Sequence, residues 1–246
     1  MIRQCACIDT LYTELPWLER FQAAKDDGFV AVEFWDWRIR DLDATREAAE
    51  KAGIIISGFN GDNDYSLVDP AQKQQYLEAL EASCKAAKQV GAESITIHSH
   101  TVKLCAMFDT LKDCAAMAEK YGIDMNLEAL NVLTDHVGNF LETTQMGAEM
   151  LRIIGSPRLK LLYDAYHMEL NEGKVMDTLS TYIDVIGHIH IADAPGRHEP
   201  GTGYMNYKAI AKHIDSLGFQ GTVGSELFPL TDTKTAVKAI MAIAED

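Results

Sequence analysis

The stretch GSPRLKLLYDAYHMELNEGKVMDTLSTYIDVIGHIHIA, residues 155–192, decides how this chain reads. A short apolar run at 159–163 leads through an amphipathic stretch at about 171–183 to a second apolar run at 187–192. Strand, helix, strand in that order implies a right-handed crossover and parallel pairing. The unit recurs in both directions. Strands are expected at 4–8, 30–34, 54–59, 94–98, 124–130, 159–163, 187–192 and 222–228. Helices are expected at about 16–27, 42–52, 70–90, 102–121, 139–154, 171–183, 207–217 and 233–244. Eight such units in 246 residues predict an α/β chain folded as one (β/α)8 TIM barrel over residues 1–246. Gly28, Gly53, Gly91, Gly122, Gly155, Gly187 and Gly218 stand between helix and strand, where a left-handed helix end is expected. Nothing reads as an interdomain linker. A doubly wound open sheet would prefer a Gly-x-Gly-x-x-Gly after the first strand. Asp9-Thr-Leu-Tyr-Thr-Glu14 stands there instead.

Composition narrows the function. With 47% apolar and 24% charged residues the chain is ordinary globular protein, not disordered or fibrous. Its net charge of −15 argues against a nucleic-acid partner, which would draw on clustered Lys and Arg. No apolar run reaches the ~20 residues of a membrane span, and the N-terminal MIRQCACIDT lacks a long apolar signal core. Cys5, Cys7, Cys84, Cys105 and Cys114 are an odd set without a C-x-x-C pair, read as reduced, mostly buried thiols. These features predict a cytoplasmic protein acting on a small molecule, with no nucleic-acid or membrane partner and a homo-oligomer left open.

Barrel sites sit at the C-terminal ends of the strands. Four consecutive strands each place one metal-competent side chain there: Glu128 in MNLEAL, Asp164 in LLYDAYH, His190 in HIHIAD and Glu226 in VGSELF. Leu127 and Ala129 flank Glu128, and Ile189 and Ile191 flank His190, so the polar members face the barrel axis. Three carboxylates brought close would repel, and a divalent cation is the simplest compensation. Three carboxylate oxygens and one imidazole suit Mn²⁺ or Mg²⁺, with Co²⁺ and Zn²⁺ as alternatives. The competing reading is four separate polar pore-fillers.

Around these lie further candidates. His188 shares the face of His190, deeper in the barrel, as a satisfied core histidine or a neighbour of the metal. His167 stands at the rim for substrate contact. His98 and His100 share a face at the end of strand four, for substrate, a second metal or pore filling. The loop Asp193-Ala-Pro-Gly-Arg-His-Glu-Pro-Gly-Thr-Gly203 is shaped by two prolines and three glycines. Its Arg197 offers a planar fork to an anionic or hydroxylated substrate, or pairs at the surface with Glu199. Of Tyr12, Trp17, Phe34, Trp35 and Trp37, most are expected to pack and one or two to wall the pocket. The charged run 38–46 reads as a solvated helix start.

Asn126-Leu-Glu128, Tyr163-Asp-x-x-His167, Gly187-His-Ile-His190, Pro195-Gly-Arg-His-Glu-Pro-Gly-Thr-Gly203 with Asn206-Tyr207, and Gly224-Ser-Glu226 together resemble the xylose isomerase-like barrel superfamily. Within it the chain most resembles the hydroxypyruvate isomerase branch, over essentially its whole length. The resemblance implies one divalent metal at Glu128, Asp164, His190 and Glu226, a proton relay between Glu128 and Glu226, and substrate contacts from His167 and Arg197. Two positions depart from that branch. It commonly carries Gln where His190 stands, His being the pattern of ketose 3-epimerases, and Glu where Tyr204 stands. The expected reaction is isomerisation of a sugar or hydroxy-keto acid through an enediolate, with Glu128 removing the carbon-bound proton and Glu226 returning one. A ketose 3-epimerase is the alternative on the same site. A zinc phosphodiesterase of the endonuclease IV type is the alternative of another class, with His98, His167 and His198 as extra ligands.

Overall fold

Alternation within each strand decides what it buries. In the computed structural model, which describes residues 2–62, 64–67, 69–98 and 104–244, the apolar runs form β1 (Arg3–Cys7), β2 (Ala31–Phe34), β3 (Ile55–Asn60), β4 (Ser94–His98), β5 (Asp124–Glu128), β6 (Leu159–Asp164), β7 (Ile186–Ile191) and β8 (Thr222–Ser225). Each pairs in parallel with the next, and β8 closes on β1 with Thr222 opposite Arg3. The helices are α1 (Glu19–Asp26), α2 (Leu42–Ala52), α3 (Lys73–Val90), α4 (Leu104–Tyr121), α5 (Thr144–Ile154), α6 (Ala165–Asn171), α7 (Val175–Tyr182), α8 (Tyr207–Ser216) and α9 (Thr233–Ala242). The expected (β/α)8 barrel is the observed fold.

Ile95, Ile97, Met125, Leu127, Leu161, Ile189 and Val223 are each at most 1% exposed and belong to one apolar core with the helices. The alternate positions face the axis. Barrels of this kind usually fill that space with Val, Ile and Leu. Here Ser57, Asn126, His188 and Thr222 occupy it, all buried. Burial pushes the thiols of Cys5 and Cys7 well up, so both stay protonated on the same axis. The four described cysteine side chains, Cys5, Cys7, Cys84 and Cys114, are buried and free.

Local chemistry sets the ends. Asp41, Thr143, Asn206 and Asp232 cap α2, α5, α8 and α9 with side-chain oxygens. Six of the seven punctuating glycines are left-handed as expected, but Gly187 is not. It lies inside β7, where a Cβ would stand 2.4 Å from Asn126 Oδ1, so it is chosen for space. The sixth crossover differs from its reading. Asp164 ends β6 and caps α6 in the same step, its Oδ1 accepting from the Tyr166 and His167 N–H groups. Positive φ at Gly173 and Lys174 then separates α6 from α7. Strands β5 and β8 stop at Glu128 and Ser225, earlier than the apolar runs suggest, which leaves Glu226 just beyond the sheet. The run 38–46 is a solvated helix start only from Asp41 onward. Arg38 pairs with buried Asp62 at 3.1 Å, and Arg40 pairs with Asp9 at 2.6 Å while stacking 3.7 Å over Trp17.

The loop after β7 is built on one carboxylate. Asp193 is fully buried, and its oxygens accept from the N–H groups of Ala194, Gly201, Gly203 and Met205. That holds Arg197 at a left-handed φ of 58°, a conformation kept by a non-glycine residue only where the surroundings insist. Asp193→Ala orphans four donors, each worth about 1–3 kcal/mol when buried. It is expected to lower Tm and to let trypsin cut after Arg197 under conditions the parent resists. Unchanged resistance would show that the loop does not depend on Asp193.

Candidate metal centre

Strand register assembles the site. His98 lies opposite Glu128 across β4 and β5, and Asp164 opposite His190 across β6 and β7. Glu128, Asp164, His190 and Glu226 each turn one ligand atom to a common point, and these atoms all lie within 4.8 Å of one another. Two ligands on opposite sides of a small divalent cation at about 2.1 Å stand ~4.2 Å apart, so the set has the size of a one-ion cage. His190 Nδ1 is its hub, 3.2 Å from Glu226 Oε2 and 3.9 Å from both Glu128 Oε1 and Asp164 Oδ2.

Each carboxylate divides its oxygens between being held and reaching inward. Asp164 Oδ1 caps α6 while Oδ2 faces the cage. Glu128 Oε2 stands 3.1 Å from His98 Nε2 while Oε1 faces His190. Glu226 Oε1 accepts from Trp35 Nε1 at 2.9 Å, and Oε2 from Arg197 Nη2 at 2.5 Å. His190 Nδ1 and Glu128 Oε1 are buried with no aligned hydrogen bond. Orphaned buried polar atoms are costly, and oxygen ligands with one imidazole are what Mn²⁺, Mg²⁺ or Co²⁺ take. The residues fit such an ion.

The charges are arranged accordingly. Burial raises the Glu226 carboxyl, but His190 and Arg197 outweigh it and hold the group well below the usual carboxylate range. Burial likewise opposes ionisation of Glu128, yet the contact with His98 brings its carboxyl below the usual value. Both glutamates are therefore ionised.

Above the cage opens a cavity of about 510 Å³. His98, Glu128, His167, Arg197 and Glu226 line it together with Trp35, Asn60, His136, Asn139, Leu130 and Val137. His167 is fully buried, and its Nδ1 lies 2.7 Å from Asn131 Nδ2. Asn131 Oδ1 already accepts from the Thr134 N–H, the Thr134 hydroxyl and the Asp135 N–H, so its amide must donate to His167. A neutral His167 then carries its proton on Nε2, 3.6 Å from Asp164 Oδ2 beside the cage. His198 lies apart, half exposed, with Nδ1 2.7 Å from the Phe228 carbonyl. It contributes nothing to the extra ligand set of a zinc phosphodiesterase. Arg197 pairs with Glu226, not Glu199, whose Oε2 accepts from the Leu230 N–H. Tyr204 is 61% exposed, away from this cavity. His100 lies outside the described residues.

The sequence reading missed Glu33, Asn60, Asn131, Asp135 and His136. Glu33 interrupts an apolar strand just as Glu128 does, so the rule that found one could find the other. The rest sit at a strand end or in a loop without periodicity, where the sequence holds no comparable signal.

A family model described as xylose isomerase-like TIM barrel matches residues 21–243. The hydroxypyruvate isomerase of Escherichia coli is 29% identical over 97% of this chain and 98% of its own. The 2-oxo-tetronate isomerase of Cupriavidus necator is 29% identical over 96% of each. A crystal structure titled AP endonuclease, family 2, from Brucella melitensis superposes with TM-score 0.91 at 23% identity, covering both chains fully. An L-ribulose 3-epimerase structure does so with TM-score 0.81 at 20% identity, over 98% of this chain and 93% of that one. At these identities the two structures speak to the fold.

Asp164→Asn separates the cage from the cap, because an amide oxygen still caps α6. In chelator the variant is expected to melt within a few degrees of the parent. Mn²⁺ at a hundredfold excess over Kd should stabilise the parent by about 2.7 kcal/mol, several degrees in Tm, and the variant far less. An equal Mn²⁺ shift in both would remove Asp164 from the site.

Proposed function

The chain belongs to the xylose isomerase-like TIM barrel family, and from that premise we propose that it is a metal-dependent isomerase of a small hydroxy-keto acid, of the hydroxypyruvate isomerase type. Isomerase-type chemistry is supported by full-length likeness to proteins named hydroxypyruvate isomerase and 2-oxo-tetronate isomerase. The observation that carries the finer reading is the four-ligand cage at the floor of an open polar cavity.

A divalent cation held by Glu128, Asp164, His190 and Glu226 would polarise the substrate carbonyl and stabilise developing negative charge on neighbouring oxygens. The chain's own groups do the rest. Glu128, ionised and bracing one oxygen on His98, takes the carbon-bound proton. Glu226, ionised in the free chain, takes up the substrate hydroxyl proton and returns it to the adjacent carbon. The proton on Glu128 then passes to the former carbonyl oxygen, so one C–H and one O–H proton change places and both carboxylates end as they began. His167 presents Nε2–H to a substrate oxygen, and Arg197 faces the same space with a guanidinium fork. Leu130 and Val137 add apolar surface to the lining.

A second reading is a ketose 3-epimerase. The neutral donors Asn60, His136 and Asn139 around the cavity favour it, because they suit hydroxyls better than a carboxylate does.

Turnover of hydroxypyruvate and of C4–C6 ketoses with Mn²⁺, Mg²⁺ and Co²⁺ separates the two, with the hydroxy-keto acid expected to be preferred. Reaction in D₂O should leave solvent deuterium on carbon in the product. Glu128→Gln and Glu226→Gln are each expected to lower kcat by about 10²–10⁴-fold with the fold intact. Parent-like turnover in either variant would end the two-glutamate relay.

A further inference from the structure

Behind the cage, the barrel axis holds a second buried polar group that the proton relay does not use. Glu33 on β2 places Oε1 3.0 Å from His190 Nε2 and Oε2 2.7 Å from His188 Nε2. His188 Nδ1 lies 2.8 Å from the Thr222 hydroxyl, which lies 2.8 Å from the Ser57 hydroxyl. All five residues are more than nine-tenths buried.

The chemistry of these groups allows one consistent order of protons. An ionised carboxylate only accepts, so both imidazoles present N–H at Nε2. His188 Nδ1 then accepts from Thr222, and the Thr222 oxygen accepts from Ser57. In the free chain His190 Nδ1 faces Glu226 Oε2 at 3.2 Å; with a cation in the cage, the same order leaves Nδ1 as the lone pair that meets it.

The surrounding backbone makes room for this arrangement. The register of β2 against β3 shifts between Val32 and Glu33, the kind of irregularity that re-aims a side chain. Gly224, opposite His190 on β8, supplies the space. A Cβ there would stand 2.4 Å from Glu33 Oε1 and 2.9 Å from both His188 Nε2 and His190 Cδ2.

We propose that Glu33 is a positioning residue for the cation: it fixes the ring and tautomer of His190 so that Nδ1 meets the ion, and His188, Thr222 and Ser57 hold Glu33 in turn. A carboxylate behind a ligating imidazole also makes the ligand nitrogen more basic. This rests on the metal reading under Proposed function. Glu33, His188 and His190 are themselves spaced as a three-ligand group. An ion among them would take His190 through Nε2 and leave the ring proton on Nδ1, 3.2 Å from Glu226 Oε2; Mn²⁺ affinity that survives Asp164→Asn would mark that arrangement, and its loss marks the cage.

The test is an EPR titration of Mn²⁺ into chelator-stripped protein, giving Kd and ions per chain without reference to turnover. The parent is expected to bind one Mn²⁺. Glu33→Gln, folded by circular dichroism, should bind it about 10–100-fold more weakly. Thr222→Val, nearly isosteric and two contacts away, should weaken it several-fold. A shifted ligand-field spectrum in Co²⁺-loaded Glu33→Gln would report the altered imidazole directly. No Mn²⁺ binding by the parent overturns the metal reading itself. One ion per parent chain with an unchanged Kd in folded Glu33→Gln overturns only the role of Glu33, as does a second ion per chain. Should Glu33→Gln fail to fold, Thr222→Val decides: a parent-like Kd there overturns the proposal.

Discussion

Three carboxylates brought within a few ångströms of one another in a nearly dry site repel strongly, by about 4 kcal/mol per pair at 4 Å for an effective dielectric of 20. The mouth of this barrel is organised around that repulsion. Glu128, Asp164 and Glu226 surround His190 Nδ1, and each turns one oxygen to a neighbouring donor group, Asp164 to the N-terminus of α6, Glu128 to His98 and Glu226 to Trp35. Arg197 brings a fixed positive charge 2.5 Å from Glu226 and 3.9 Å from Asp164. Donors and cations keep Glu128 and Glu226 ionised, and the ligand atoms of all three carboxylates lie within 4.8 Å of one another and of the His190 ring nitrogen.

Holding such a group requires two different interiors in one small protein. Outside the sheet, Leu, Ile and Val from β2 to β8, with Ala6 from β1, pack on the helices and supply the burial that makes the barrel stable. Inside it, a column of polar side chains runs down the axis from the cage through Glu33 and His188 to Thr222 and Ser57. His188, Thr222 and Ser57 are joined by hydrogen bonds and Glu33 stands at ion-pair distance from both imidazoles, and such pairing is the condition under which a buried polar network rigidifies. The parallel strands make the separation possible, because alternate residues of one strand serve the two interiors independently.

That alternation is also why so much was legible in the sequence. Eight apolar runs with helical spacers admit few topologies, and polar residues breaking those runs stand out. Glu128, Asp164, His190 and Glu226 were found in this way, and they converge. Glu33 breaks its strand by the same rule, but it lies three strands before the cluster of motifs and stands in none of them. The double role of Asp164, ending β6 while capping α6, has no periodic signature. The end of a strand and the start of a helix there share one residue, and the helix of seven residues is too short to show a stripe. Asn131, which sets the His167 tautomer, acts through a loop whose shape arises from its own hydrogen bonds.

Arg197 is where, on the proposed reading, the charge of the site would meet the charge of a substrate. Its guanidinium is committed to Glu226 in the free chain, and its backbone is held at positive φ by a loop gathered around Asp193. A substrate carboxylate entering the cavity would compete with Glu226 for that fork and so loosen the hold that keeps Glu226 ionised. A group that takes up a proton, as Glu226 does in the proposed relay, gains basicity when its cationic neighbour turns to another anion. An anionic hydroxy-keto acid would thus prepare its own proton carrier on binding, whereas an uncharged ketose would leave the Arg197–Glu226 pair closed. On the proposed reading, the Arg197–Glu226 pairing of the free chain would suit an anionic hydroxy-keto acid better than an uncharged sugar.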